Sequence, residues 1–312
     1  MARLITTSHG TNRDAFTPVD WALFGTLGLI WGSSFLLMAI GLDSFHPGLV
    51  TLLRIVAASL FLYSVPRIRN SRIDPEDRGR IILIAFTWVA LPFTMFPIAQ
   101  QWIASGTAGL INGTTPIFAA IVASILLRTL PGRLQRVGLI MGLAGVVLIA
   151  LPSINSGTNE AIGILLALVA AASYGVSINI SVPVVQKYGS LPVMSRVIWF
   201  AIPMALPYGI YGLLQSDFSV PSFVATVAVG LFGTGIAFIL AGRIAASVGA
   251  TRSSFIAYVL PVVALILGVV FRDETVNAMA IAGIALVLVG AFLASRKERS
   301  TAREPEPATA AG

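Results

Sequence analysis

Ten apolar segments, each long enough to form a membrane-spanning helix, follow one another along this chain of 312 residues. A helix needs about 20 mostly apolar residues to cross the hydrocarbon core of a bilayer. The predicted crossings are residues 20–41, 47–66, 80–101, 106–127, 136–152, 160–186, 191–214, 221–242, 249–271 and 276–295. Only 11% of the residues are charged, against about 25% in soluble domains. The sequence therefore predicts an all-α integral membrane protein with ten transmembrane helices.

An internal repeat divides these crossings into two sets of five. Three residues of the first half recur 145 residues later, at matching places in the second half. They are Pro116, Gly138 and Gly145, repeated as Pro261, Gly283 and Gly290. Because five is an odd number, the second copy must enter the bilayer from the opposite side, as in the inverted repeats of many secondary transporters. We therefore predict two inverted five-helix repeats, 20–152 and 160–295, around a central cavity.

The distribution of basic residues predicts the orientation of the chain. Sixteen lysines and arginines fall in the two terminal segments and in alternate loops, whereas the intervening loops contain one, Arg272. In membrane proteins the excess of basic residues lies in cytoplasmic loops. Both termini are therefore predicted to be cytoplasmic, as an N-terminal arm (1–19) and a disordered tail (296–312). The net charge of +7 follows from this pattern, so no nucleic-acid partner is expected.

The chain lacks the residue patterns that most enzymes and metal sites use. It contains no cysteine, its two histidines lie outside the predicted crossings, and none of its thirteen acidic residues lies in the middle of a crossing. No paired carboxylates and no metal-ligand cluster are evident in the sequence. We therefore expect no enzymatic activity, no cofactor and no metal. The lack of a carboxylate within a crossing also argues against direct coupling to protons or sodium through an acid.

Short motifs occur in a characteristic order in the two halves. They are Trp-Gly-Ser-Ser-Phe at 31–35, Leu-Arg at 53–54, Ala-Ser-Gly-Thr-Ala at 104–108, Thr-Pro-Ile-Phe at 115–118, Gly-Leu-Phe-Gly-Thr at 230–234, Gly-Ala-Thr-Arg-Ser at 249–253, Leu-Pro-Val at 260–262 and Asp-Glu at 273–274. In the order and spacing of these motifs, residues 21 to about 295 resemble the EamA-type branch of the drug/metabolite transporter superfamily. One departure is Thr129, where the family usually has an acidic residue that matches Glu274.

The resemblance implies a ten-helix basket whose cavity is lined mainly by the first, third, fourth, sixth, eighth and ninth crossings. Polar and aromatic residues on those crossings are the candidate cavity residues: Trp31, Gln100, Asn112, Tyr174, Ser177 and Tyr258. For the polar ones, the alternative is hydrogen bonding between helices. Pro116 and Pro261 are predicted to have a gating or structural role, because proline lacks a backbone donor and kinks its helix.

Two arginines within crossings are the most unusual charges. Arg54 lies seven residues after Pro47, roughly 10 Å below the outer edge of the membrane at 1.5 Å per residue. Its approximate counterpart, Arg196, approaches from the inner face. Both are predicted to have a gating or structural role, such as bracing a neighbouring helix. The alternative is direct contact with an anionic substrate.

These features predict a secondary transporter of the cytoplasmic membrane that exports small organic metabolites by alternating access. A mostly neutral cavity with amide, hydroxyl and aromatic groups suits amino acids, including aromatic and other apolar ones. The first alternative is an antiporter of phosphorylated or nucleotide-linked metabolites, which requires basic residues facing the cavity. The second is a membrane scaffold or receptor without transport activity. The expected partners are a small-molecule substrate and the lipid bilayer, with a monomer as the simplest assembly.

Because the native chain has no cysteine, single introduced cysteines test the predicted topology. In intact cells, an impermeant thiol reagent should label Ser156→Cys, since the 153–159 loop is predicted to lie outside. Arg72→Cys should react only after the membrane is opened, since the 67–80 loop is predicted to lie inside. Labelling of Arg72→Cys but not of Ser156→Cys in intact cells would establish the opposite orientation.

Overall fold

The computed structural model describes residues 17–69, 72–128, 132–156, 158–248, 256–275 and 278–295, and it contains no strand in those residues. The α-helices are α1 (Pro18–Leu42), α2 (Pro47–Tyr63), α3 (Pro66–Arg69), α4 (Arg78–Ile84), α5 (Leu91–Ala99), α6 (Ser105–Asn112), α7 (Thr115–Leu127), α8 (Arg133–Ser156), α9 (Thr158–Tyr188), α10 (Ser190–Leu214), α11 (Val220–Gly230), α12 (Ala237–Val248), α13 (Ile256–Arg272) and α14 (Ala278–Ser295). A 3₁₀ turn, Pro75–Asp77, precedes α4, and π-helical segments Ala85–Ala90 and Leu231–Ile236 join α4 to α5 and α11 to α12. The all-α class is confirmed. Residues 1–16 of the predicted arm and the whole predicted tail lie outside the described residues.

Proline determines where several of these helices begin. Pro47 is the first residue of α2, and Pro116 and Pro221 are the second residues of α7 and α11. The fixed φ angle of proline suits the first turn of a helix, where its missing N–H group has no intrahelical partner to lose. At α2 the start is reinforced by His46, whose Nδ1 accepts a hydrogen bond from the backbone N–H of Gly48 at 3.1 Å.

Six helical stretches are long and apolar enough to cross a membrane: Trp21–Leu42, Pro75–Ala99, Ser105–Leu126, Asn159–Tyr188, Ser190–Leu214 and Val220–Ile244. Four shorter apolar helices lie at the remaining predicted crossings: Pro47–Tyr63, Arg136–Gly145, Val259–Arg272 and Ile281–Gly290. Each predicted crossing therefore coincides with one apolar helical stretch among the described residues. That the four shorter helices also cross the membrane stays a prediction.

Reciprocal glycine contacts join α8 to α14, the fifth helices of the two predicted repeats. A Cβ atom added at Gly145 would lie 2.5 Å from the carbonyl oxygen of Gly283. A Cβ atom added at Gly290 would lie 2.5 Å from the carbonyl oxygen of Gly138. Only glycine therefore allows the two backbones to approach so closely. Gly138 lies against Gly290 and Gly145 lies against Gly283, so the contacts run in opposite order along the two helices, and α8 and α14 pack antiparallel. This is the packing that inverted repeats predict for two equivalent helices.

The other close helix pairs come in matched sets. The second crossing, α2, packs against its counterpart α10. The first, α1, packs against the eighth and ninth crossings, just as the sixth, α9, packs against the third and fourth. Exchanging the two halves of the chain leaves these pairings unchanged. The pattern supports a two-fold relation between the halves, and the full inverted ten-helix arrangement stays a prediction.

The carboxylate of Glu274, just after α13, binds the N-terminus of α6. It accepts hydrogen bonds from the backbone N–H of Ser105 at 2.7 Å, from that of Gly106 at 2.8 Å, and from the Ser105 hydroxyl at 2.6 Å. The first N–H groups of a helix lack intrahelical partners, and the helix dipole favours a negative charge there. Two residues earlier, Arg272 donates two hydrogen bonds to Asp43, at 2.7 and 2.8 Å. Glu274 therefore joins the end of α13 to α6, and Arg272 joins it to the end of α1.

We expect Glu274→Ala to lower the free energy of unfolding by about 1–2 kcal/mol, in the range for losing a helix cap, because three hydrogen bonds are lost. Ser105→Ala removes only the hydroxyl bond and should cost less. Thermal unfolding of the purified proteins in one detergent measures both effects. A Glu274→Ala protein that unfolds at the wild-type temperature would contradict the capping role.

Candidate functional site

Arg54 is a buried charge at the junction of the two halves. It lies on α2, and its side chain is 7% exposed. Its Nε donates a hydrogen bond to the hydroxyl of Thr234 at 3.0 Å, and its Nη1 lies 3.4 Å from the sulfur of Met38. Its guanidinium carbon lies 3.6 Å from the centre of the Phe93 ring. The side chain therefore joins α2 to α1, to α5 and to the second π-helical segment.

None of these partners of Arg54 carries a negative charge. In the part of the chain that the structure describes, the ion pairs involve other residues, and no carboxylate contacts this guanidinium. A cation within the membrane is costly, and it normally faces the bundle interior or an aqueous cavity. A hydroxyl and an aromatic face compensate the charge only in part. The guanidinium is therefore suited to bind an anionic group that enters from outside the chain.

The two π-helical segments place threonines where the halves meet. Ala85–Ala90 carries Thr87, and Leu231–Ile236 carries Thr234. The two segments occupy nearly the same place in the third helix of each predicted repeat. π-Helical turns are rare, and they occur frequently at functional sites. Here each segment bonds to the opposite half, since Thr234 accepts from Arg54 and Thr87 accepts from α9.

Ser177, one of the predicted cavity residues, is fully buried beside the first π-helical segment. Its hydroxyl donates to Oγ1 of Thr87 at 2.7 Å, and the hydroxyl of Ser173 donates to the Thr87 carbonyl at 2.7 Å. Both bonds join α9 to the third crossing. These bonds fit the alternative role for the polar candidates, which is hydrogen bonding between helices.

Aromatic rings from three crossings form a connected row. The rings of Phe35 and Phe96 meet edge to face with centroids 5.3 Å apart, and Phe96 stacks on Tyr174 at 6.1 Å. Trp31, one turn before Phe35, packs against each of the three apolar clusters formed by the described residues, and Tyr174 packs against two of them. Tyr174 also lies within electrostatic range of Arg54. The half-buried side chains of Trp31 and Tyr174 therefore lie where the clusters converge.

Gln100 and Asn112 stand at helix ends and are half-buried. Gln100, just after α5, donates from Nε2 to the carbonyl of Phe35 at 3.1 Å, whereas its Oε1 is buried and has no hydrogen-bond partner. Asn112, the last residue of α6, accepts a long hydrogen bond of 3.4 Å from the hydroxyl of Thr115. Gln100 is thereby connected to the aromatic row through Phe35 and keeps an unused acceptor.

The two repeated prolines lie where the fourth and ninth crossings touch. Pro116 follows the short turn at Gly113 and Thr114 that separates α6 from α7. Pro261 lies inside the continuous helix α13. A Cβ atom added at Gly113 would lie 2.6 Å from Cγ of Pro261. The lack of a side chain at Gly113 therefore allows this close crossing.

Among the remaining predicted site residues, Arg196 lies apart from the group around Arg54. Arg196 is half-buried in α10 and lines a cavity together with residues of the 72–78 segment, none of which contacts Arg54 in the described hydrogen bonds. The backbone of Tyr258 belongs to α13, but its side chain lies outside the described residues. The structure thus connects Trp31, Gln100 and Tyr174 through aromatic and apolar contacts, and it places Arg196 elsewhere.

Sequence reasoning did not single out the partners of Arg54. Thr234 belongs to the Gly-Leu-Phe-Gly-Thr motif at 230–234, which is the signal that could have identified it. Met38 and Phe93 are ordinary apolar residues of a crossing and give no signal. A further signal is the pattern aromatic-Gly-X-Ser, present at 31–34 and again at 174–177, which pairs Trp31 with Tyr174.

Known transporters are similar to this chain over most of its length. The model of the EamA-like transporter family matches twice, at residues 21–151 and 161–296. The transporter YdfC of Bacillus subtilis (strain 168) is 27% identical over 84% of this chain and 85% of its own. The inner membrane transporter YedA of Escherichia coli (strain K12) is 28% identical over 87% of this chain and 90% of its own. A protein of Streptantibioticus cattleyicolor named "Probable terminal-alkyne amino-acid exporter" is 26% identical over 91% of this chain and 95% of its own.

A crystal structure of another protein shares the fold. It superposes with a TM-score of 0.60 at 20% sequence identity, covering 89% of this chain and 97% of that one. The two family matches account for nearly all of the predicted membrane region, and the resemblance seen in the motifs is confirmed. This chain belongs to the EamA-like transporter family, and it is a multi-pass membrane transporter, not an enzyme.

Proposed function

We propose that this transporter exports amino acids, aromatic and other apolar ones included, from the cytoplasm by alternating access. The observation that carries the proposal is the buried guanidinium of Arg54, whose described partners are a hydroxyl, a thioether and an aromatic ring. Arginine presents a planar set of donors that matches a carboxylate. All amino acids share that group, so Arg54 is the proposed carboxylate anchor.

The aromatic row next to Arg54 suits the rest of such a substrate. Tyr174 stacks on Phe96 and lies near Arg54, and Trp31 packs against the same clusters. Aromatic faces bind apolar side chains by burying their surface, and they attract an ammonium group through the cation–π interaction. For an amino acid with an apolar side chain, Arg54 therefore suits the carboxylate, and the aromatic rings suit the side chain and the ammonium group.

Gln100 is proposed as a second polar position on the transport route. It lies seven residues after Phe93, which is roughly 10 Å along a helix. Gln100 is therefore placed farther along the third crossing than the ring that Arg54 contacts. The unpaired Oε1 of Gln100 is suited to accept a hydrogen bond from a substrate that has left Arg54.

Substrate binding at Arg54 would also act on the contact between the halves. The guanidinium donates across the two repeats to Thr234. A carboxylate is a stronger acceptor than a hydroxyl, so it would compete with Thr234 for Nε and weaken this link. The gating role expected for Arg54 and carboxylate binding are therefore compatible. The antiparallel packing of α8 and α14 supports the inverted repeat, an arrangement that many alternating-access transporters use.

The relatives support the direction and the location of transport. One relative is named as an amino-acid exporter and another as an inner membrane transporter. With the basic residues placed inside, the proposed location is the cytoplasmic membrane with both termini in the cytoplasm. The antiporter of phosphorylated metabolites is less well supported, because it needs several cavity-facing cations and Arg196 lines a cavity separate from Arg54.

Replacing Arg54 tests the carboxylate anchor. Arg54→Gln should reduce amino-acid transport at least tenfold, because a hydrogen bond to a charged group contributes about 1.5–3 kcal/mol. Arg54→Lys keeps the charge but loses the planar fork, so it should retain part of the activity. Uptake of labelled amino acids by inside-out vesicles measures the rates at equal protein levels. Arg133→Gln, at the exposed first residue of α8, is the matched control and should behave as wild type.

Amino-acid amides separate carboxylate binding from gating, because they lack the anionic group. If Arg54 binds the carboxylate, Arg54→Gln should transport the amides as fast as the wild type does. Slow transport of both the amides and the acids by Arg54→Gln would assign only the gating role. Wild-type rates for the acids would contradict the proposal altogether.

Replacing Tyr174 tests the aromatic row. Tyr174→Ala should reduce transport of aromatic and large apolar amino acids more than that of alanine or glycine, since the lost ring removes apolar contact surface. The measurement is a panel of labelled amino acids on vesicles with matched expression. Tyr63→Ala, at the exposed end of α2, is the control. If Tyr174→Ala lowers the protein level but leaves the relative rates unchanged, Tyr174 acts only in helix packing.

A further inference from the structure

A cavity lies between the 72–81 segment and the second and third turns of α10. Its volume is about 520 Å³. Basic and aromatic groups dominate its lining: Arg72, Arg78 and Arg196 with Trp199 and Phe200. The cavity is separate from the group around Arg54, and the proposed transport function makes no use of it.

The acid in this lining is already engaged. Asp74 accepts hydrogen bonds from Nζ of Lys187 at 2.8 Å and from the hydroxyl of Tyr188 at 2.8 Å. The hydrogen bonds from Lys187 and Tyr188 hold the pKa of Asp74 below its usual range. Neither Arg72 nor Arg78 contacts a carboxylate among the described residues. The cavity therefore presents a net positive charge.

The position of the cavity matches the surface of the membrane. Arg196 lies six residues after Ser190, the start of α10, which is roughly 9 Å along the helix. Trp199 and Phe200 follow at three and four positions further, so they share a face with Arg196. The Trp199 side chain is 56% exposed, and tryptophan is enriched at the boundary between lipid and water. In the predicted orientation this boundary is the cytoplasmic one.

We propose that this cavity binds the phosphate headgroup of an anionic phospholipid from the cytoplasmic leaflet. Arg72 and Arg78 supply charge-assisted hydrogen bonds to phosphate oxygens, and basic pockets on the cytoplasmic side of transmembrane helices bind such headgroups. The aromatic wall distinguishes a lipid from a soluble phosphate compound, because acyl chains cover Trp199 and Phe200 while a small phosphate leaves them exposed to water. A bound lipid joins the 72–81 segment to α10.

Lipid titrations of the purified transporter in neutral detergent test this site. The probe is dioleoyl phosphatidylglycerol, with dioleoyl phosphatidylcholine as the neutral lipid and glycerol 3-phosphate as the soluble phosphate. Native mass spectrometry gives the apparent affinity of each. The double variant Arg72→Gln/Arg78→Gln should bind phosphatidylglycerol on the order of tenfold more weakly than the wild type. Arg72→Lys/Arg78→Lys, which keeps both charges, should retain most of the binding, and Arg133→Gln should bind as the wild type does.

Three outcomes would overturn the proposal. One is equal affinity for phosphatidylglycerol in the wild type and in the double glutamine variant. Another is equal affinity of the wild type for phosphatidylglycerol and phosphatidylcholine. The third is binding of glycerol 3-phosphate as tight as that of phosphatidylglycerol, which would assign the site to soluble phosphates. Both exchanged arginines are exposed, and circular dichroism establishes that each variant keeps its helices.

Discussion

Water is absent from the hydrocarbon core, so polar groups of a membrane helix must find their partners inside the protein. The hydroxyl of Thr51 donates to the carbonyl of Phe93 at 2.7 Å. The side-chain amide of Asn179 donates to the carbonyl of Ala119 at 2.9 Å. Such bonds join crossings that are far apart in sequence, so they define which helix faces meet. One turn after Thr51, Arg54 lies over the ring of the same Phe93. The second crossing therefore holds Phe93 by its backbone and by its ring.

Arg54 departs from this rule, because a hydroxyl, a sulfur and a ring do not neutralise a full charge. Proteins violate local design rules mostly at functional sites. The π-helical segment that carries Thr234 is a second irregularity at the same place. The incompletely compensated charge of Arg54 thus lies next to a rare helix form and between the two halves. A small anionic substrate that binds there can change how the halves pack. This connects the energetics of the fold to the proposed transport cycle.

The two halves share a backbone pattern but differ in the chemistry of their helix ends. Glu274 caps α6 with a carboxylate, whereas the matching position of the first half holds Thr129, which lies outside the described residues. A threonine has no charge to offer a helix dipole. The capping carboxylate of the second half therefore has no charged equivalent at position 129 of the first half.

The sequence by itself determined the helical class, the apolar segments and the family, because hydrophobicity over about 20 residues and short motifs are local properties. It also identified Arg54, Trp31 and Tyr174 as unusual residues for such a chain. Only the tertiary structure decided their surroundings. Thr234, the hydrogen-bond partner of Arg54, lies 180 residues away, and Arg196 lines a cavity of its own. The physical reason is that the face a helix turns to its neighbours depends on packing between distant segments, which no local pattern contains.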